Sequence, residues 1–296
     1  MTSVAGKAEE ARTAGRTASR ARLSVLVTGA SSGIGRATAI AFARRGHKVF
    51  AAARRTEALN GLAGGEPGIV PVTLDVTDAG SVRAAWAAIR DATAGAGVDV
   101  LANVAGFALA GPVEALSDAD VRRQFDTNVF GLLAMSRTVL PGMRERGSGR
   151  IINVSSLVGR VTFGGMGVYG ATKYAVEALS DALRQEVAPF GVRVVIIEPG
   201  WVATSIGESA DANTAAARQP PAAYADMVAR GDRYLAAQVA KGIAPEQVAA
   251  AIVKAAEAPS PRARYAVPLT ARLLIPVLTT LPDKLADWAK ARATTA

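Results

Sequence analysis

Short apolar runs and amphipathic stretches alternate along most of this chain. Leu23-Ser24-Val25-Leu26-Val27 is an apolar, β-branched run of the kind that forms a buried strand. From Arg36 to Arg45, Ala37, Ile40 and Ala41 fall at i, i+3 and i+4, which predicts a helix. Arg44 and Arg45 fall in its last turn, where cations suit the negative dipole end, and Gly46 supplies the stop. The same reading places strands near residues 23–28, 48–53, 69–74, 98–103, 150–155, 192–197 and 264–267. Strands alternating with helices predict an α/β fold, a parallel sheet covered by helices on both faces. The turn Gly64-Gly65-Glu66-Pro67-Gly68 is too short to divide domains, and no solenoid-type repeat is visible. The pattern therefore predicts one domain over 23–268, a tail over 1–22 and a helical extension over 269–296.

Two stretches carry candidate chemistry. The first is Thr28-Gly29-Ala30-Ser31-Ser32-Gly33-Ile34-Gly35, between the first strand and the first helix. Glycine tolerates positive φ and lets backbone approach a ligand closely. The helix start adds unpaired N–H groups and a positive dipole end, which suit phosphate. The spacing is Gly-x3-Gly-x-Gly, not the Gly-x-Gly-x2-Gly of the longer dinucleotide fingerprint. The second stretch is Tyr169-Gly170-Ala171-Thr172-Lys173, with Tyr and Lys one helical turn apart on the same face. A free Tyr titrates near 10, and a fixed ammonium pulls that value down. Reaching about 7 takes roughly 4 kcal/mol of differential interaction, so a cofactor cation and a dry site must help. Such a pair is a candidate general acid or base.

With these motifs the chain resembles the short-chain dehydrogenase/reductase family, over about Leu23 to Pro268. Asn103-Val104-Ala105-Gly106 follows the strand Val98 to Ala102, and Asn128 lies in Asn128-Val129-Phe130-Gly131. Ser156 precedes Tyr169 by thirteen positions, and Pro199-Gly200 ends the strand Val192 to Ile197, with Thr204 shortly after. The resemblance implies a Rossmann-type, doubly wound, seven-stranded parallel sheet. One position departs from the family pattern: Val104 stands where a second asparagine is usual, which removes a polar anchor within the sheet. The runs Tyr174 to Ser180, Phe190-Gly191-Val192 and Ile197-Glu198-Pro199-Gly200 are similar to the branch containing 17β-hydroxysteroid and retinol dehydrogenases.

The resemblance also implies roles. Tyr169 exchanges the proton with the substrate oxygen, Lys173 lowers the Tyr pKa and holds the nicotinamide ribose, and Ser156 hydrogen-bonds the reacting oxygen. Asn128 is expected to kink its helix and hold a water linking Lys173 to solvent; the plainer alternative is a hydrogen bond within the core. The implied cofactor contacts are Gly29, Ser31, Ser32, Gly33, Ile34, Gly35, Asp75, Val76, Asn103, Ala105, Gly106, Tyr169, Lys173, Pro199, Gly200, Val202 and Thr204. Asp75 is expected at the adenine, although it also suits a helix start. At the end of the second strand Ala53 replaces the carboxylate typical of NAD-specific folds, and Arg54 follows. A guanidinium matches a 2′-phosphate, so NADP(H) is expected over NAD(H).

The reaction expected is interconversion of an alcohol with its ketone or aldehyde. A substrate-covering segment is expected over about 201–244, with Trp201, Phe107, Leu157, Val161 and Phe163 as apolar wall candidates. They suggest an apolar alcohol or ketone, and the resemblance to the hydroxysteroid and retinol dehydrogenase branch implies a steroid-, retinoid- or other hydrophobic carbonyl compound. A non-catalytic NADP(H) sensor on the same fold is the alternative. The helix carrying Tyr169 is expected to join a homodimer or homotetramer.

Composition narrows the picture. There is no cysteine and only one histidine, His47, expected as a surface turn residue. That disfavours thiol catalysis, a Ser-His-Asp triad and a zinc site, so no metal is expected; it also suits the cytoplasm. The net charge of +9 is scattered rather than gathered with aromatics, which argues against nucleic acid. Five cations against two carboxylates in residues 1–22 make a basic tail that reads as disordered and lacks a signal-peptide core. No apolar run reaches the roughly 18 residues of a membrane span. In the extension, Leu273, Leu274, Ile275, Val277 and Leu278 cluster around Pro276, and Leu285, Trp288 and Ala289 form a helical stripe. That stripe is expected to dock on its own domain, the alternatives being a pocket wall, a subunit contact or a membrane-surface contact with Lys284 and Lys290 at headgroups.

Overall fold

The computed structural model describes residues 22–203 and 220–295. Nearly all of the expected N-terminal tail therefore lies outside the described residues. Seven strands form a single parallel sheet in the order β3-β2-β1-β4-β5-β6-β7. They are β1 (Ser24–Thr28), β2 (Lys48–Ala53), β3 (Ile69–Thr73), β4 (Val100–Asn103), β5 (Gly149–Val154), β6 (Val192–Pro199) and β7 (Arg264–Val267). Each falls where the apolar runs predict it.

Strand alternation divides the core in two. Val25 and Val27 point to one face, where α1 (Gly33–Arg44) and the helix Pro245–Glu257 pack with Ala39, Phe42, Val248 and Ile252. Leu26 and Phe50 point to the other, against Ile89, Met135 and Val139 from the helices Ala79–Ala92 and Leu132–Glu145. A two-sided burial of this kind explains why the strands read as continuous apolar runs. Arg150 on β5 donates to the carbonyls of Ala255 and Ala256, tying the sheet to the end of the helix Pro245–Glu257.

His47 is not a surface turn residue. It is 3 % exposed, with Nδ1 accepting from the Leu23 N–H at 3.2 Å and Nε2 lying 3.1 Å from Glu257 Oε1. An Nδ1 that accepts leaves the proton on Nε2, which donates to the carboxylate. Arg45 completes the cluster, with both carboxylate oxygens of Glu257 at 2.6 Å. Glu257 lies 210 residues from His47, so nothing local reveals the partner.

The C-terminal extension forms the helices Leu269–Thr280 and Asp283–Thr295. The expected docking of Leu285 and Trp288 does not occur. Both are exposed, while Ala271, Ile275 and Ala286 are buried.

Candidate active site

The strand C-termini open into a cleft of about 690 Å³, flanked by β1 and β4 where the strand order reverses. Parallel α/β sheets bind ligands in such a crevice. Its floor begins with the glycine loop. Gly29 has φ +69°, and a Cβ there would stand 2.8 Å from Ala105 Cα. A Cβ on Gly35 would run into the Gly29 carbonyl. Both positions therefore keep the loop tight against β4 and leave the α1 N-terminus open. Ser32 is the residue before that helix, and its side chain makes no capping hydrogen bond. The first N–H groups of α1 thus face the cleft as a phosphate cradle. Thr28 Oγ1 accepts from the N–H groups of Val104 and Ala105 at 3.0 and 3.1 Å, clamping the ends of β1 and β4 together.

Gly29, Ser31, Ser32, Gly33, Ile34, Gly35, Arg54, Asp75, Val76, Ala105, Gly106, Pro199, Gly200 and Val202 all line the cleft. Asn103 does not. It is buried in the sheet, donating to Ser136 Oγ at 3.2 Å and Asn153 Oδ1 at 2.9 Å. Asn153 in turn donates to Ser180 at 2.9 Å. The polar anchoring that Val104 cannot supply is thus carried by its neighbour. Thr204 lies outside the described residues.

Two arginines mark the end of β2. Arg54 acts on the Asp75 carboxyl through charge, and Arg55 donates to Ser31 Oγ at 3.2 Å. Burial pushes Asp75 up, but hydrogen bonds from Thr77 and the charge of Arg54 together hold it below the usual carboxylate range. Asp75 does not cap the next helix; Asp78 does, accepting from Ser81 N–H. Arg55 also lines the cleft beside Arg54, a position that the sequence analysis did not single out.

The opposite wall carries Ser156, Tyr169 and Lys173. Ser156 follows β5, and Tyr169 and Lys173 lie on the helix Gly167–Val187. Lys173 is 7 % exposed; its Nζ donates to the Val154 carbonyl at 2.9 Å and lies 5.7 Å from the Tyr169 ring centroid. Burial pushes Tyr169 up to about 12, against a hydrogen bond with Ser156 that pulls it down. Burial also lowers Lys173 to about 8, with the Glu177 charge opposing it. Burial of the phenol thus outweighs the Ser156 hydrogen bond, and the Lys173 ammonium, directed at the Val154 carbonyl, leaves the cofactor cation expected from the sequence a part to play.

Asn128 sits one layer below, in a π-helical turn, Asp126–Gly131, between the helices Asp118–Phe125 and Leu132–Glu145. π-turns of this kind are common at functional sites. The amide of Asn128 pairs with the Phe107 backbone, accepting at 3.0 Å and donating at 2.9 Å, and donates to Thr172 at 3.1 Å. A Cβ on Gly106 would meet Asn128 Oδ1 at 3.0 Å and Lys173 Nζ at 3.8 Å, so both groups border one glycine.

Apolar walls complete the cleft. Phe107, Leu157 and Trp201 line it, together with Met166, Leu235 and Val239. Leu235 and Val239 belong to the helix Ala225–Ala240, inside the segment expected to cover the substrate. Tyr224 anchors that segment by donating to Glu114 Oε2 at 2.6 Å, and Trp201 packs edge-on to Tyr234 at 5.9 Å. Phe163 faces a smaller adjoining cavity of about 70 Å³ rather than the main cleft, and Val161 is core. Ala110, Met166, Trp201 and Leu235 border both cavities.

Comparison with known proteins agrees with this geometry. Residues 24–215 match the short chain dehydrogenase family model. The chain belongs to the short-chain dehydrogenase/reductase family and is an oxidoreductase that acts on CH–OH or carbonyl groups with NAD(P). It is 33 % identical over 266 residues to a 3-ketodihydrosphingosine reductase of Bacteroides thetaiotaomicron, covering 90 % of this chain and 95 % of that one. It is 31 % identical over 267 residues to an NADPH-dependent 3-dehydrocapnine reductase of Ornithobacterium rhinotracheale, covering 88 % and 94 %. A solved short-chain dehydrogenase from Streptomyces avermitilis superposes with a TM-score of 0.78 at 36 % identity, covering 94 % of this chain and 100 % of that one.

Proposed function

We propose that this chain is an NADP(H)-dependent carbonyl reductase and alcohol dehydrogenase for an apolar substrate. The observation that carries the reading is the meeting of Ser156, Tyr169 and Lys173 beside apolar side chains in one cleft, which also holds a glycine loop flanked by two arginines. The glycine cradle fits a dinucleotide pyrophosphate, because Gly29 and Gly35, where a Cβ would collide with the backbone of Ala105 and Gly29, hold the loop tight and leave the helix N-terminus open. Arg54 and Arg55 suit a 2′-phosphate, and no carboxylate stands at Ala53 to repel one. Asp75 lies on the same side for the adenine. The name of the Ornithobacterium relative, which specifies NADPH, supports the preference.

When bound, the nicotinamide supplies or accepts the hydride at the substrate carbon. In reduction Ser156 donates a hydrogen bond to the substrate carbonyl oxygen, and Tyr169 gives that oxygen its proton. The phenolate left behind is favoured by the Ser156 hydroxyl and by the ammonium of Lys173 over the ring. Asn128 fixes the Phe107 backbone and Thr172, and so holds the floor beneath Lys173. In this reading it also positions the water that returns the proton to Lys173.

Phe107, Leu157, Met166, Trp201 and Leu235 favour a hydrophobic carbonyl compound, steroid- or retinoid-like in character, over a small polar one. The adjoining cavity beyond Trp201 suits an elongated one. The names of both relatives, each a reductase of a 3-keto or 3-dehydro compound, favour the reductive direction. Exposed Phe130 and Tyr174 lie near the helix expected to join subunits, which supports a homo-oligomer.

Fluorescence titration with NADPH and NADH, followed by turnover of ketones of increasing chain length, tests the proposal. It predicts tighter NADPH binding and kcat/KM rising with apolar length. Preference for NADH would refute the arginine assignment, and faster turnover of short polar ketones would refute the substrate class.

A further inference from the structure

The two helices after β7 leave several of their large apolar side chains exposed. Ala271, Ile275 and Ala286 are buried. Leu269, Leu273 and Val277 fall at i, i+4 and i+8 of the helix Leu269–Thr280 and form one exposed stripe. Leu285 and Trp288 are exposed on the next helix, with Leu273 at 73 % and Trp288 at 61 %. Single exposed apolar residues are ordinary, but five large ones between 269 and 288 are a concentration that calls for a partner.

Cations accompany the patch. Arg272 and Lys284 are exposed, Lys290 pairs with Asp287 at 2.8 Å, and the Arg292 guanidinium lies 5.4 Å from the Trp288 ring centroid. Asp283 and Asp287 are the only carboxylates against these four cations in residues 269–296.

We propose that this face docks on an anionic lipid bilayer, with the leucine stripe at the acyl boundary and the cations at the headgroups. An indole beside a cation suits the membrane–water interface. Two other occupants fit less well. A second copy of the same face would bring like charges together. The chain segments outside the described residues offer little apolar cover: residues 1–21 hold Met1 and Val4, and residues 204–219 hold Ile206, as their large aliphatic side chains. No described helix is long and apolar enough to cross a membrane, so the contact is peripheral. The proposal rests on no step of the catalytic reading.

Sedimentation of the full chain with vesicles tests it, using phosphatidylcholine alone and phosphatidylcholine with phosphatidylglycerol. The protein is expected to pellet with the anionic vesicles and to be released by salt. Arg272→Gln with Lys284→Gln should weaken partitioning roughly thirtyfold, at about 1 kcal/mol per cation. Leu273→Glu with Val277→Glu should abolish it. NADPH binding by each variant reports that the fold is intact, and light scattering reports the oligomeric state. The proposal is overturned if the wild type stays in the supernatant with anionic vesicles, or if the Leu273→Glu/Val277→Glu variant pellets undiminished. A smaller oligomer in that variant, with no vesicle binding by the wild type, would assign the face to a second copy instead.

Discussion

The ammonium of Lys173 stands over the face of the Tyr169 ring, 5.7 Å from its centroid, and donates to the Val154 carbonyl at 2.9 Å. Its depressed pKa, about 8, makes its charge sensitive to mild alkali, whereas Tyr169 at about 12 keeps its proton throughout that range. Carbonyl reduction uses a protonated Tyr169 and a charged Lys173. The rate of reduction should therefore hold through neutrality and fall as pH rises through about 8. In Lys173→Arg the cation persists to far higher pH, so residual activity should lose that limb. A kcat–pH profile in both proteins checks this; a wild-type profile flat to about pH 10, near the value of a free lysine, would contradict it.

The same shift carries a stability consequence. The folded pKa of Lys173 lies below the ordinary lysine value of 10.5, so the unfolded chain binds the extra proton between about 8 and 10.5. Burial of the cation thus costs stability below about pH 8, and that cost fades as pH rises toward 10.5. Denaturant unfolding of Lys173→Met should lack this rise. An identical pH dependence in the two proteins would show that Lys173 does not contribute to it.

Arg54 and Arg55 flank the same end of the cleft. A charge-assisted hydrogen bond is worth about 1.5–3 kcal/mol. Replacing either residue by Gln should weaken NADPH binding roughly 10- to 100-fold and leave NADH binding nearly unchanged. Equal losses for both dinucleotides would remove the arginines from the 2′-phosphate.

Gly35 and Gly46 should respond differently to alanine. A Cβ on Gly35 collides with the Gly29 carbonyl, so Gly35→Ala must displace the loop and should abolish dinucleotide binding. Gly46 has φ +84° but open space around it, so Gly46→Ala should cost only about 1–2 kcal/mol and leave binding intact. Calorimetry of both variants with and without NADPH separates the cases; intact NADPH binding by Gly35→Ala would sink the close-approach argument.

His47 is a structural residue. His47→Ala removes one bond to the Leu23 N–H and one to the Glu257 carboxylate, both partly buried. Urea unfolding should show a loss of about 2–4 kcal/mol, with little change in kcat. A change within about 0.5 kcal/mol would place His47 among ordinary surface residues.

Much of this protein is legible in its sequence because the signals are local. The strands read correctly since both sheet faces are buried, leaving runs such as Val25-Leu26-Val27 apolar throughout. The place of the glycine loop is legible because strand, loop and helix follow each other directly. The misreadings come from long-range contacts. His47 is buried by Glu257, far along the chain. Asn103 looks like a cleft residue by its place at the end of β4, yet Ser136 and Asn153 draw its side chain into the sheet. Phe163 faces the adjoining cavity because Met227, Val228 and Tyr234 gather there. Periodicity identified the stripe of Leu285 and Trp288 but not its direction, since Ala286 lets the helix approach on its other side. Leu235 and Val239 could have been singled out, being one turn apart on the amphipathic stretch that covers the cleft.

The most direct measurement is NADPH oxidation in the presence of an apolar ketone, by the wild type and by Tyr169→Phe. Loss of the general acid is expected to lower kcat by about 10²–10⁴. NADPH affinity should stay near the wild-type value, because the glycine loop and the arginines are untouched. Equal rates in the two proteins would contradict the central claim that Tyr169 delivers the proton.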